Sequence, residues 1–100
     1  MSTFKLEITS LAEEEYSFAF HYYEDQQQGL GEKFEKETES LMEYLKANPF
    51  LFQRRYKHYR EANFKKFPYF IVYEVIENSV LIHSFFHAHR SPTGKLKRRI

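Results

Sequence analysis

A two-layer α+β fold of order βααβββ, with an N-terminal helical hairpin packed on one face of an antiparallel sheet, is predicted by three observations. Two stretches within the first 50 residues place apolar side chains at helical spacing. From about Tyr56 onward, β-branched and aromatic residues replace helix formers. The connections in this second half are only a few residues long, which joins antiparallel neighbours.

The elements follow in order. Phe4, Leu6 and Ile8 alternate with Lys5 and Glu7, the period of a strand with one buried face. Ser10 and Glu13 have the spacing of a capping box, so a helix is expected from Leu11. Ala12, Tyr16, Ala19, Phe20 and Tyr23 line its apolar side, opposite Glu13, Ser17, His21 and Glu24. Gly29 should end it near Gln28. Leu30, Phe34, Leu41 and Leu45 then mark a second helix, which stops before Asn48-Pro49 because proline disfavours helix in its predecessor. Three strands are expected at 57–64, 69–76 and 80–87, joined by turns at Lys65-Lys66-Phe67-Pro68 and Glu77-Asn78-Ser79. Tyr69, Ile71, Tyr73 and Val75 should face the helices, leaving Phe70, Val72, Glu74 and Ile76 on the other side. Residues 1–92 form the expected domain, and 93–100 a basic, mobile tail.

Composition narrows the function classes. With 11 Phe, 8 Tyr and no Trp, large flat side chains must fill a thin interior. The absence of cysteine excludes disulfides, thiolate metal sites and a cysteine nucleophile. No run approaches the roughly 20 apolar residues of a membrane span, so a soluble cytoplasmic protein with no membrane partner is expected. The net charge of +1 conceals a division. Residues 1–50 hold four lysines against eleven carboxylates, while residues 51–100 hold eleven Lys or Arg against three Glu. Such a division fits a cationic surface that meets nucleic acid or an acidic partner, or two ordinary solvated faces.

Glycines at 29, 31 and 94 match no phosphate-binding loop, so no nucleotide cofactor is expected. Asp25 is the only aspartate, and no Ser/His/Asp signature is present. His83, His87 and His89 occupy odd positions of the last strand and would share a face if it ran that far. Without a carboxylate or thiolate beside them in sequence, strand packing is a simpler account than metal binding, and no metal is expected. Arg54, Arg55, Lys57, Arg60, Lys65, Lys66 and Arg90, interleaved with Tyr56, Tyr59, Phe64 and Phe70, could clamp phosphates and stack bases. The alternative is a solvated strand surface. Cutting RNA through its 2′-hydroxyl needs proton transfer and cationic stabilisation of the phosphate, which one His near two Arg could largely supply.

The order of short motifs resembles a known family. The leading strand, the helix running through Tyr22-Tyr23-Glu24 to Gly29-Leu30-Gly31-Glu32-Lys33-Phe34, and Asn48-Pro49 match the front half of RelE/ParE toxins. Arg60-Glu61-Ala62, Phe67-Pro68-Tyr69, Ile71-Val72-Tyr73 and His87-Ala88-His89-Arg90-Ser91-Pro92 complete the likeness, which is nearest the ParE-like plasmid-stabilisation branch. The resemblance implies a toxin held inactive by a cognate antitoxin that wraps it in a hetero-oligomer. ParE-type members poison DNA gyrase, and this is the activity expected here. RelE-type members are ribosome-dependent mRNA endonucleases, whose functional positions fall on Arg60 and His87 with Arg90 close by. A non-toxic binding module retaining the fold is a third reading. Arg60 can equally be an ion-pair anchor, His87 a packing residue and Arg90 a helper for the chain terminus. Lys95, Lys97, Arg98 and Arg99 join Arg54, Arg55, Lys57, Lys65 and Lys66 as expected target contacts.

Overall fold

Each helix of the hairpin takes its limits from local chemistry, as a computed structural model describing residues 3–89 makes plain. The first strand, β1 (Lys5–Ile8), leads into helix α1 (Ser10–Gln26). Its cap is Thr9 rather than the expected Ser10: Thr9 is extended, and its Oγ1 accepts from the Ala12 N–H at 3.1 Å, whereas Ser10 is already helical. The same hydroxyl lies 3.3 Å from the His83 carbonyl, fixing the start of α1 to the sheet. Gly29, at φ +89°, takes the left-handed backbone that turns the chain into helix α2 (Leu30–Ala47). Gly29 offers no side chain, so Glu24 reaches across from α1. Its carboxylate accepts from the Gly29 and Gly31 N–H groups, each at 2.9 Å, satisfying donors that a helix start leaves bare.

Among the described residues four strands follow, one more than expected. The region read as a single strand at 57–64 is a hairpin, β2 (Arg54–Tyr56) and β3 (Tyr59–Asn63), because Lys57 adopts φ +53° and reverses the chain. β4 (Tyr69–Ile76) has the predicted limits, and β5 (Ser79–His87) begins one residue early. The sheet order is β1-β5-β4-β3-β2. The pairs from β2 to β5 are antiparallel as expected, but β1 lies parallel to β5, Lys5 opposite Ser79 and Ile8 opposite Ile82, so the sheet is mixed. The hairpin α1–α2 carries the chain from β1 at one edge of the sheet to β2 at the other, and the antiparallel run β2–β5 then returns to lie beside β1. Among the described residues no helix is long and apolar enough to cross a membrane.

The main core lies between helices and sheet. Tyr69, Ile71, Tyr73, Val80, Ile82 and Phe85 meet Ala12, Ala19, Phe34, Leu41 and Leu45, as the alternation in β4 required. Phe70, Val72 and Phe86 form a smaller cluster on the opposite face. Glu15 ties α1 to β5, its Oε1 accepting from the Ser84 hydroxyl at 2.9 Å and the Phe85 N–H at 3.1 Å.

Tyr73 fixes the loop after α2 by donating to the Pro49 carbonyl at 2.6 Å. Burial pushes its phenol up to about 12, against an opposing pull from Arg60. Burial, and then the Glu35 and Glu39 carboxylates, push Tyr16 up to about 12 as well. Unfolded tyrosines ionise near pH 10, so above that pH the unfolded state binds fewer protons than the folded one. Stability should therefore hold below pH 10 and fall as the pH rises from 10 to 12, which urea titrations at pH 7 and 11 would measure. Tyr73→Phe should cost about 1–2 kcal/mol at pH 7, since the buried Pro49 carbonyl loses its donor, and should lessen the alkaline loss. An unchanged alkaline slope would assign that loss to other groups.

Candidate functional site

Arg60 sits on β3 opposite Tyr73 of β4. Its guanidinium donates to the Phe52 carbonyl at 2.6 Å and lies 5.1 Å from the centre of the Phe50 ring. These contacts hold the 48–53 loop against the sheet, a structural use of the cation. His87 closes β5 opposite Tyr69, with the ring centres 5.0 Å apart. Its Nδ1 accepts from the His89 N–H at 3.1 Å. Tyr69 and Tyr73 are four residues apart on β4, so Arg60 and His87 are separated by roughly 13 Å along the strand direction alone. The structure does not bring these two together. Arg90, Lys95, Lys97, Arg98, Arg99 and the tail from 93 lie outside the described residues.

The three histidines expected on the last strand do not share a face, and β5 ends at His87, so His89 lies beyond it. Ser84 pairs with Val72 and Ile82 with Tyr73, so His83 is an extra residue in β5, a bulge that breaks the alternation. His87 stands by Tyr69, while His83 Nε2 meets Glu74 Oε2 at 2.7 Å. A carboxylate does therefore neighbour one of these histidines, across the ladder rather than along the chain. His58, from the β2–β3 turn, meets the other oxygen of Glu74 at 3.0 Å. Tyr59 packs beside both rings, 4.4 Å from His58 and 5.3 Å from His83. Both imidazoles address opposite oxygens of one carboxylate, and among the described residues no group of three or more such side chains is arranged to hold a metal ion. The cluster links three strands. Sequence reasoning missed it because its members are 9 and 16 residues apart, and no local pattern joins them.

The cations divide into two groups. Arg54 and Arg55 are exposed on β2 and Lys57 on its turn, at one edge of the sheet. Lys65 and Lys66 are exposed on the loop before β4 and line one groove with Lys33 and Lys36 of α2. Lys33 and Lys36 belong to the acidic half of the chain, and only tertiary contact places them beside the basic half.

This arrangement of a helical hairpin on a mixed sheet can be set against known proteins. A family model described as "ParE toxin of type II toxin-antitoxin system, parDE" matches residues 6–92, nearly the whole described domain. The chain belongs to the ParE toxin family. It is accordingly the toxin component of a type II toxin–antitoxin system, with an antitoxin as its partner. The fold of this ParE toxin is also similar to a solved chain described as "Chromosomal ParDE TA system from P. aeruginosa", with a TM-score of 0.74. That match covers 86% of this chain and 97% of the other at 12% identity, so it bears on the fold alone. No curated protein matches the sequence.

Proposed function

We propose that this ParE toxin acts in the cytoplasm by binding DNA gyrase through a contact surface, without cutting RNA. The observation that supports this reading is the use made of Arg60. A nuclease of the RelE kind would need this cation close to His87 at one phosphate, yet Arg60 is engaged by the Phe52 carbonyl and the Phe50 ring. Inhibition by binding makes no such demand and can draw on the exposed Arg54, Arg55 and Lys57. Arg90 and the basic residues at 95, 97, 98 and 99 are further proposed contacts.

Inducing the toxin without its antitoxin should trigger an early DNA-damage response while translation continues. Loss of translation with cut messages as the first failure would reject gyrase as the target. His87→Ala should leave growth arrest within a few-fold of the unmodified toxin. If His87 instead moved a proton in RNA cleavage, the same change should lower activity by about 10² or more. Charge reversal at Arg54 and Arg55 should weaken gyrase binding more at low salt than at high salt.

A further inference from the structure

The edge that carries Arg54, Arg55 and Lys57 has little of its own to hold it in place. β2 is a three-residue strand at the margin of the sheet, exposed at every position, and its pairing with β3 is irregular between Arg54 and Tyr56. Lys57 then turns the chain at φ +53°, a left-handed backbone that a long side chain disfavours. A two-stranded hairpin that buries so little is marginal in water. Its order must come from contacts outside β2.

Two such contacts stand at its ends. Ahead of β2, Arg60 holds the Phe52 carbonyl and lies over the Phe50 ring. Past the turn, His58 Nε2 lies 3.0 Å from Glu74 Oε1, while Glu74 Oε2 meets His83 Nε2 at 2.7 Å. With a proton on Nε2 each imidazole donates to its own oxygen, whether the ring is neutral or charged. The Glu74 side chain is only 13% exposed, so its carboxylate depends on these two donors in place of water. Tyr59, paired with Tyr56 inside the hairpin, packs against both rings. Lys57 Nζ lies 5.2 Å from the centre of the Tyr56 ring, which restrains that cation as well. The helices play no part, because Glu74 alternates with Tyr73 and so faces away from the main core.

We infer that Glu74, with His58, His83 and Tyr59, forms a clasp that positions the cationic edge, so that Arg54, Arg55 and Lys57 meet the target already ordered. The inference rests on the gyrase reading and adds what holds that contact surface in shape. An edge ordered in advance loses less conformational freedom on binding, and its charges act together from the first encounter. His58 and Glu74 are positioning residues, which need touch no part of the target.

The test is made on the full-length toxin. His58→Ala should leave the thermal midpoint nearly unchanged, since this side chain is 59% exposed and lies off the core. Amide exchange in the β2–β3 hairpin should quicken by about tenfold or more, with β4 and β5 as protected as before. Gyrase binding should weaken by about three- to tenfold. His58→Gln, which offers Glu74 a donor at similar reach, should restore both readouts. Arg54→Ala with Arg55→Ala should cost less affinity in the His58→Ala background than in the unmodified toxin, because a loose edge draws less from its charges. Unchanged hairpin exchange in His58→Ala would overturn the clasp, and that measurement involves no gyrase. Faster exchange with unaltered binding, or losses in affinity that simply add, would overturn the positioning role while leaving the gyrase reading intact. Absence of binding by the unmodified toxin would remove the gyrase reading and the positioning role with it, and the exchange result would still decide whether the clasp orders the hairpin.

Discussion

Phe34→Ala is expected to lower the unfolding free energy by about 3–5 kcal/mol, against a total of about 5–15 kcal/mol for a domain of this kind. Phe34 is fully buried and stands where the helices and sheet converge. Its ring stacks on Phe64 at 5.1 Å with an interplanar angle of 3°. Phe67, Tyr69, Tyr23 and Tyr16 surround it, with ring centres 5.1, 5.4, 5.4 and 5.7 Å away. Removing the ring forfeits both transfer energy and these packed contacts, and five large rings cannot close the void without leaving their rotamers. Chemical denaturation at pH 7 would show a lower midpoint with little change in slope. Phe34→Leu, which keeps most of the volume, should cost less. A loss below about 1 kcal/mol for the alanine variant would mean that the surrounding rings collapse into the space.

Gly31→Ala should have the next largest effect, a destabilisation of about 1–3 kcal/mol, although alanine favours helix intrinsically. A Cβ at this position would lie 2.9 Å from the Phe20 carbonyl oxygen and 2.9 Å from Glu24 Oε1. The first is backbone and cannot rotate aside. The second is the oxygen that accepts from the Gly31 N–H, so moving it also exposes the start of α2. Glu24→Gln keeps the size of this side chain but removes its charge beside the helix N-terminus, and should cost only about 0.5–1 kcal/mol. Thermal melts of the two variants separate steric from electrostatic contributions. An alanine variant as stable as the parent would show that the helices can slide apart at this crossing.

The limits of the elements were legible wherever one short stretch decides them. Gly29 and Asn48-Pro49 bound the second helix, and Phe67-Pro68 sets the start of β4, in agreement with the observed Leu30–Ala47 and Tyr69–Ile76. The face of β4 that meets the helices was legible too, because a two-residue period leaves it little choice. The family was readable from the ordered motifs between the first strand and Pro92, and a match over residues 6–92 now stands behind it. The β2–β3 hairpin, the parallel seat of β1 and the break in alternation at His83 were not legible, nor was the choice of Thr9 over Ser10 as the cap of α1.

The candidate site divides along the same line. Residue type and spacing along the chain determine helix, strand and turn, since backbone sterics and the burial of one face act over a few residues. Which distant side chains meet was decided by the tertiary structure. Arg60 is turned to the Phe52 carbonyl by the loop that Tyr73 anchors, and the bulge in β5 sends His83 to Glu74 while His87 stays beside Tyr69. Lys33 and Lys36 join Lys65 and Lys66 only because α2 packs beside the loop that Glu37 holds. Coulombic and hydrogen-bonding energies depend on distances through space, and separation along a chain does not set those distances until the fold has closed.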